Sequence, residues 1–264
     1  MYSVFSVVSL AAKSQDGRDL SPDWIDAMTD LRTAFGLLTI LPVRYGDASH
    51  ISARAFAYYP LVGLVIGMVL VAANFLLRLM LPNLVAGALL VVVWVVITGA
   101  LHLDGFSDAC DGLFAAVPRE RRLEILHDVH LGVFGAVGLA LLLITKVAAV
   151  VSAPSFAPIF LAPILGRWAM VYAATYPPAR TEGMAVLFRA GLTRRVVLVA
   201  TLFAALSCGV IRGFGFVAFI TAFLIATLVA RFAMNRLGGL TGDIYGTICE
   251  SVEVGVLIMG TLSF

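Results

Sequence analysis

Runs of apolar residues long enough to cross a lipid bilayer recur along this chain, and they limit what it can fold into. A helix needs about 20 mostly apolar residues to span the hydrocarbon core. The sequence therefore predicts an all-α fold, a polytopic transmembrane helix bundle of about six to eight membrane helices. The candidate spans are Tyr58–Leu81, Leu84–Leu103, Val133–Val151, Ala157–Tyr176, Val196–Ile211, Phe214–Ala230 and Val252–Phe264, the last of which is short. A shorter apolar segment, Leu31–Val43, is interrupted by Pro42 and is predicted to be a surface or re-entrant helix.

The composition supports a membrane protein and excludes several other classes. The chain is 61% hydrophobic and 13% charged, whereas a soluble domain is about a quarter charged. Its three cysteines are scattered without a Cys-x-x-Cys pair, which argues against a disulfide framework or a zinc site. A net charge of +2 is too small to indicate nucleic-acid binding. We expect residues 1–30 to form an N-terminal tail or surface-lying segment, and residues 31–264 to form one membrane-embedded domain.

The distribution of basic residues predicts the orientation. If the loop after Leu103 is cytoplasmic, nearly all Lys and Arg residues outside the spans lie on that side, and only Arg78 and Arg212 lie on the other. This asymmetry follows the positive-inside rule. The connections on the far side are also shorter. The sequence therefore predicts a multi-pass membrane protein, with the polar residues and the active site facing the cytoplasm.

The segment HLDGFSDACDG, which begins at His102, is the strongest candidate for chemistry. Asp104, Asp108 and Asp111 are spaced i, i+4 and i+7, so on a helix they share one face. Clustered carboxylates repel one another, and a divalent cation such as Mg²⁺ or Mn²⁺ removes that repulsion. The flanking Gly105 and Gly112 would let a phosphate approach the backbone. The alternative is that these acids are ordinary solvated loop residues.

The next segment, Pro118–Leu131, is predicted to be a second helix. A short linker would let it fold back antiparallel, so that Asp128 faces Asp111 and completes a site of four carboxylates. Asp128 would then be a fourth metal ligand or the base that receives a proton. Each neighbouring histidine (His102, His127 and His130) is predicted to hydrogen-bond or to act in acid–base chemistry, with a purely structural role equally open.

Further candidates lie within the spans and near the C-terminus. Arg167 lies in an apolar span, where its planar guanidinium could bind a diphosphate or could pair with an acid for structure. For Lys146 we favour a structural role. The segment RLGGLTGDIYG contains Gly242 and Asp243, which could bind phosphate or guanine, or in the case of Asp243 a metal; an ordinary turn is the alternative.

Several motifs in order resemble the membrane-bound cobalamin synthases, also called adenosylcobinamide-GDP ribazoletransferases. The similarity runs from about Arg32 to the C-terminus. It is carried by HLDGFSDACDG, LEILHDVHLGVFGAVGL, GRWAMVYA, ARTEGMAVLF and RLGGLTGDIYGTICESVEV, together with the earlier LLTILPV and YYPLVGLVIG. The Asp-x-x-Asp-Gly element also resembles that of the CDP-alcohol phosphotransferases.

The resemblance implies a Mg²⁺-dependent transfer in the last assembly step of cobalamin, by a protein of the bacterial inner membrane. A ribose hydroxyl of alpha-ribazole, or of its 5′-phosphate, attacks the cobinamide-linked phosphate of adenosylcobinamide-GDP, and GMP leaves. The partners would be these small molecules and the lipid bilayer, with no nucleic acid; an oligomer is left open.

Together these observations assign a provisional set of site residues. The catalytic and metal-binding residues are predicted to be Asp104, Asp108, Asp111 and Asp128. The substrate-binding residues are predicted to be Arg167, Arg180, Gly242, Asp243 and His102. Two positions depart from the family pattern: Val129 stands where a serine is usual, and extra residues separate Tyr176 from Arg180.

Two other functions remain open at the level of sequence. Intramembrane Lys146 and Arg167, with glycine-interrupted spans, are also features of secondary transporters. No paired halves are evident, however, and the polar residues crowd one face. A phospholipid-type CDP-alcohol phosphotransferase is the nearer alternative, but the later spaced aspartate pair of those enzymes is not found.

Overall fold

The computed structural model describes residues 23–43 and 53–262, and over these ranges the protein is helical without a β-strand. The α-helices are α1 (Asp23–Leu38), α2 (Tyr59–Met80), α3 (Asn83–Thr98), α4 (Leu101–Phe114), α5 (Arg119–Ile125), α6 (Val133–Ser152), α7 (Ala157–Ala173), α8 (Met184–Ala190), α9 (Arg194–Val210), α10 (Phe214–Leu237) and α11 (Gly242–Met259), with a 3₁₀ helix at Ala53–Tyr58. The predicted all-α fold class is confirmed. Most of the predicted N-terminal tail, and Ser263 and Phe264 at the end of the last candidate span, lie outside the described residues.

Helix α7 lies at the centre of the bundle. It is buried along almost its whole length and packs against α2, α9, α10 and α11. Gly63 and Gly67 of α2 allow the closest of these approaches, because a Cβ at either position would overlap the backbone carbonyl of Pro163 or Phe160. Small residues at helix crossings are typical of membrane bundles, where close van der Waals packing drives association.

The inner and outer faces of the outer helices carry side chains of different size. On α10, alanines recur at about one-turn intervals and are fully buried: Ala218, Ala222, Ala226, Ala230 and Ala233. Large apolar side chains on outer helices are exposed instead, among them Phe75, Leu79, Ile144, Leu206 and Leu228. In water this surface would be far too apolar. It is the surface expected of a protein that contacts lipid tails.

Fewer helices qualify as complete spans than the six to eight expected from sequence. Over the described residues, three are long and apolar enough to cross a membrane: Arg54–Met80, Val133–Ser152 and Phe214–Leu237. The number rises to five if two bent pairs, α3 with α4 and α8 with α9, each form one span. Helix α7 is apolar but has only 17 residues. The last candidate span, Val252–Phe264, is in fact the end of α11, which begins at Gly242 and carries three acidic residues.

A sharp bend after α3 interrupts another candidate span, Leu84–Leu103. Helix α3 ends at Thr98, and α4 starts at Leu101 at 94° to it. Gly99 and Ala100 both adopt left-handed backbone conformations, with φ of 61° and 56°. Glycine is suited to this position as a helix C-cap. The bend makes α4, which carries the acidic motif, a helix distinct from α3.

The short apolar segment near the N-terminus also has different limits from those expected. Helix α1 begins at Asp23, inside the predicted tail, and ends at Leu38, before Pro42. Helix α1 packs against the 3₁₀ helix and α2. A surface or re-entrant position relative to the membrane stays a prediction.

Candidate active site

Helix α4 carries the acidic motif, as predicted. Asp104, Asp108 and Asp111 lie along Leu101–Phe114 at the expected helical spacing. Their surroundings differ, because Asp104 is exposed, Asp108 is half-buried and Asp111 is buried. The three carboxylates therefore differ in their access to water, although they follow one another along the helix.

A fourth carboxylate, Asp243, reaches this group from the first turn of α11. Helices α4 and α11 meet closely at Gly105, where a Cβ would lie 2.9 Å from the Cα of Asp243. The Thr247 hydroxyl donates to the Asp243 carbonyl at 2.8 Å and also lies 3.3 Å from the Gly105 carbonyl. The Thr241 hydroxyl donates to the Asp243 carboxylate at 3.1 Å. Gly105 is therefore occupied by helix packing, and the expected approach of a phosphate to its backbone is not available.

Electrostatic repulsion links the carboxylates of α4 and α11. Asp108 is partly withdrawn from water, and the charges of Asp104, Asp243 and Asp111 all oppose its ionisation. Such a group is stable when a cation or a shared proton offsets the repulsion. The sequence predicted a separate loop for Asp243 and left metal binding by it open, and the structure places this carboxylate near Asp108.

Two basic residues border the acids. Arg180 interacts electrostatically with Asp243, and His127 also acts on that carboxylate. Partial burial lowers the pKa of the Arg180 guanidinium, and the charge of Asp243 counteracts this. Arg180 donates to the Leu123 carbonyl. Its loop is held next to the start of α11 by paired backbone hydrogen bonds of 2.9 Å, from Ala179 to Leu240 and from Leu240 to Pro177.

Asp111 makes its hydrogen bonds at the start of α6. Its Oδ2 accepts from the Gly132 amide and its Oδ1 from the Gly135 amide, both at 2.9 Å. Gly112, which was expected to leave room for a phosphate, packs instead against the Leu126 side chain. Both observations place this end of α4 in a packed interface.

Asp128 lies in a different environment from the one expected. Helix α5 ends at Ile125, well short of Leu131, so Asp128 follows the helix in a turn. Its carboxylate is half-exposed and lies 2.6 Å from His130 Nδ1. This hydrogen bond lowers the pKa of Asp128. The four-carboxylate geometry with Asp111 is not formed, and a role for Asp128 in catalysis stays a prediction.

The glycines before α11 differ in accessibility. Gly238 ends α10 with φ of 73°, and Gly239 packs against the backbone of Pro178 and Ala179. These two are explained by the turn. Gly242 is exposed at the start of α11, beside Asp243, so it can still contact a substrate.

A buried ionic network lies deeper in the bundle. Lys146 Nζ lies 2.8 Å from Glu250 Oε2 and 2.6 Å from Glu253 Oε2, and Arg167 pairs with the other oxygen of Glu253. Arg167 Nη2 also approaches His102 Nδ1 at 3.4 Å. All five side chains are almost completely buried. For Arg167 this is the structural pairing that the sequence left open, and substrate binding by Arg167 or His102 stays a prediction.

The donor set fits Mg²⁺ better than a softer metal. The side chains that meet at the α4–α11 junction are carboxylates, the hard oxygen ligands that Mg²⁺ prefers. Across residues 23–43 and 53–262, however, no three His, Cys, Asp or Glu side chains are already arranged around one point as a metal site. Mg²⁺ commonly completes its shell with water and substrate phosphates, so an incomplete protein set is compatible with it.

Comparison with known proteins decides the family. The model of the cobalamin-5-phosphate synthase family matches residues 30–261. The chain belongs to this family. One relative, from Roseiflexus sp. (strain RS-1), is named adenosylcobinamide-GDP ribazoletransferase. It is 38% identical over 91% of this chain and 92% of its own length. This confirms the relationship that the motifs indicated.

Other relatives carry the same name. The protein from Deinococcus radiodurans is 39% identical over 86% of this chain and 83% of its own length. The protein from Desulforamulus reducens is 36% identical over 88% of this chain and 95% of its own length. No solved structure matches the chain. Because the match to the synthase family covers both α4 and α11, the acidic group lies within the family domain.

Proposed function

We propose that this protein transfers the adenosylcobinamide phosphate group from adenosylcobinamide-GDP to alpha-ribazole, or to alpha-ribazole 5′-phosphate, and releases GMP. Membership of the cobalamin-5-phosphate synthase family carries this proposal, since relatives that align over most of their length are named for the reaction. The acidic group at the α4–α11 junction adds chemical support, because it suits a cation that binds phosphates.

The reaction exchanges a phosphoanhydride bond for a phosphate ester bond. A ribose hydroxyl oxygen forms a bond to the phosphorus that carries cobinamide, and the bond from that phosphorus to the bridging oxygen breaks, so that GMP leaves. Charge neutralisation on the phosphate oxygens is what Mg²⁺ supplies when bound. Asp104, Asp108 and Asp243 would hold it, because their charges interact across the junction at which α4 and α11 meet.

The same carboxylates provide a route for the proton of the attacking hydroxyl. Burial, together with repulsion from Asp104, Asp243 and Asp111, raises the pKa of Asp108 to about 7, so this carboxyl can accept a proton near neutral pH. Asp128 is less suited to the task, because its hydrogen bond with His130 lowers the pKa of the carboxyl. A base with a lower pKa accepts a proton less readily.

Arg180 is assigned to the diphosphate of adenosylcobinamide-GDP. Its guanidinium lies next to Asp243, and planar guanidinium groups bind phosphate oxygens through two parallel hydrogen bonds. The exposed Gly242 allows the substrate to approach the start of α11. A positive group at the edge of an acidic site also favours the entry of an anionic substrate.

We place the protein in the inner membrane of a bacterial cell, with the acidic group facing the cytoplasm. The basis is the asymmetry of Lys and Arg residues between the two sides of the spans. Nucleotide-linked substrates are polar, so a site on the aqueous side allows their direct entry.

The decisive experiment uses purified protein with adenosylcobinamide-GDP and either alpha-ribazole or its 5′-phosphate, with and without Mg²⁺. We expect release of GMP together with formation of the cobamide only when Mg²⁺ and an acceptor are both present. Cytidine diphosphate-diacylglycerol as donor tests the CDP-alcohol phosphotransferase alternative. Uptake into proteoliposomes without GMP release would support a transporter and contradict the proposal.

A further inference from the structure

Asp111 has a different set of partners from the other acids of the motif. Each of its carboxylate oxygens accepts a backbone N–H, at 2.9 Å from Gly132 and at 2.9 Å from Gly135. The side chain is 9% exposed. Gly132 is the N-cap residue of α6 and has no side chain of its own to cap the helix, and Gly135 lies in the first turn of α6.

The electrostatics at this position suit an anion and oppose a cation. The first N–H groups of a helix lack partners within the helix, and the aligned peptide dipoles give its N-terminus a partial positive charge. A carboxylate from another helix can accept hydrogen bonds from these N–H groups and can also place a negative charge at the positive end of the helix. A divalent cation held by the same carboxylate would lie against the positive end of α6, which raises the cost of binding it there.

The glycines of α6 are necessary for this contact. A Cβ at Gly132 or at Gly135 would overlap the Asp111 carboxylate, and one at Gly138 would lie 2.7 Å from Cys110 Sγ. The three glycines recur every three residues, so they form one face of α6 against which α4 packs. Asp111 fits against this face only in one position of α4 relative to α6. Sliding or rotating α4 along α6 would break the contact.

Arg122 fixes the same end of α4 from the other side. Its Nη1 donates to the carbonyls of Gly112 and Leu113, at 3.1 and 2.7 Å, and its side chain is buried. The last carbonyls of a helix need such donors. The C-terminal half of α4 is therefore held by α5 through a cation and by α6 through Asp111.

We propose that Asp111 is a positioning residue, which docks α4 onto the N-terminus of α6 and thereby sets Asp104 and Asp108 beside Asp243 without binding the cation itself. The inference rests on the proposed function for the identity of the reaction. It divides the acidic motif into two cation-facing carboxylates and one structural carboxylate, although all three share the helical spacing.

The test compares cation binding and catalysis in matched variants. Mn²⁺ binding, followed by electron paramagnetic resonance of the free ion, is measured for the wild type, Asp111→Asn, Gly135→Ala and Asp108→Asn. We expect Asp108→Asn, which removes a ligand, to weaken Mn²⁺ binding by about 100-fold or more. Asp111→Asn and Gly135→Ala, which only shift the ligands, should each weaken it by about tenfold.

Catalysis supplies the second readout. Asp111→Asn keeps one acceptor oxygen but turns an amide donor towards a backbone donor, and Gly135→Ala fills the space that the carboxylate needs. Both should lower kcat by a similar factor of about 10–100, with the KM for adenosylcobinamide-GDP unchanged within about twofold. A purely structural role would instead lower the fraction of folded protein and leave kcat per folded molecule unchanged.

The outcomes separate this inference from the proposed function. Weakening of Mn²⁺ binding by Asp111→Asn to the same extent as by Asp108→Asn overturns the positioning role. If the wild type releases no GMP under any condition, the proposed function fails, and the melting temperatures of Asp111→Asn and Gly135→Ala still test the docking contact. Unchanged melting temperatures in both variants would then overturn the contact as well.

Discussion

Lys146 Nζ lies 2.6 Å from Glu253 Oε2 inside the helix bundle, where neither side chain is more than 2% exposed. The same glutamate pairs with Arg167, and Lys146 also pairs with Glu250. Helices α6, α7 and α11 are thus joined by two cations and two anions. Lys146 also lies 4.2 Å from the centre of the Trp94 ring, which brings α3 into the same network. The charges balance only while both glutamates are ionised.

We predict that Glu253→Gln destabilises the protein by about 3 kcal/mol or more, because it leaves a buried positive charge without compensation. The measurement is the free energy of unfolding by SDS in mixed micelles, supported by the melting temperature in detergent. Glu124→Gln is the matched control, since Glu124 pairs with Arg121 on the surface, with both side chains more than half exposed. The control should change stability by less than about 1 kcal/mol. Equal effects of the two substitutions would contradict the importance of the network.

Neutralising Asp108 should separate activity from stability. We predict that Asp108→Asn lowers GMP release by about 100-fold or more, because one of the carboxylates that would hold Mg²⁺ is lost. The same substitution removes repulsion from Asp104, Asp111 and Asp243, so the melting temperature should stay the same or rise. The measurements are GMP release in washed membranes and thermal unfolding of the purified protein. Full activity of the variant would refute the acidic site.

The close approach of α4 and α11 at Gly105 gives a further prediction. In Gly105→Ala the new methyl group meets the Asp243 backbone, so the two helices must separate. We expect kcat to fall by about 100-fold, because small displacements of catalytic groups are costly. Gly209→Ala is the control, since nothing lies within 4 Å of a Cβ there. It should retain activity and gain up to about 1 kcal/mol from its better helix propensity. Similar kcat values for the two variants would show that the helix contact does not matter.

The left-handed conformation of Ala100 predicts an unusual stabilising substitution. Ala100→Gly should raise the free energy of unfolding by about 1 kcal/mol, because glycine adopts a φ of 56° without the steric cost that alanine has. Ala148→Gly, at an exposed position within α6, should lower it by a similar amount. SDS unfolding of both variants measures the difference. A loss of stability in Ala100→Gly would mean that the bend is not strained at this residue.

The sequence predicted the features that depend on local periodicity. The helical fold class follows from long apolar runs, and the spacing of Asp104, Asp108 and Asp111 on one helix follows from the 3.6-residue turn. The family followed from motifs that appear in order along the chain. None of these inferences requires knowledge of how two helices cross.

The features that depend on tertiary packing were not predicted. Asp243 meets Asp108 because Gly105 brings two distant segments together, and Asp111 turns towards α6 because of the glycines there. Part of the buried network could have been found. Asp243, Glu250 and Glu253 are spaced i, i+7 and i+10, which places them along one face of a helix, but the assumed start of a span at Val252 divided that helix.

The right-angled turn between α3 and α4 has a consequence for where substrates are handled. If α3 runs roughly along the bilayer normal, α4 runs roughly parallel to the membrane surface, and its acids lie in a shallow row at one depth. A bulky corrinoid then needs only to bind at the membrane surface along α4. The reaction product can leave along that surface without crossing the hydrocarbon core.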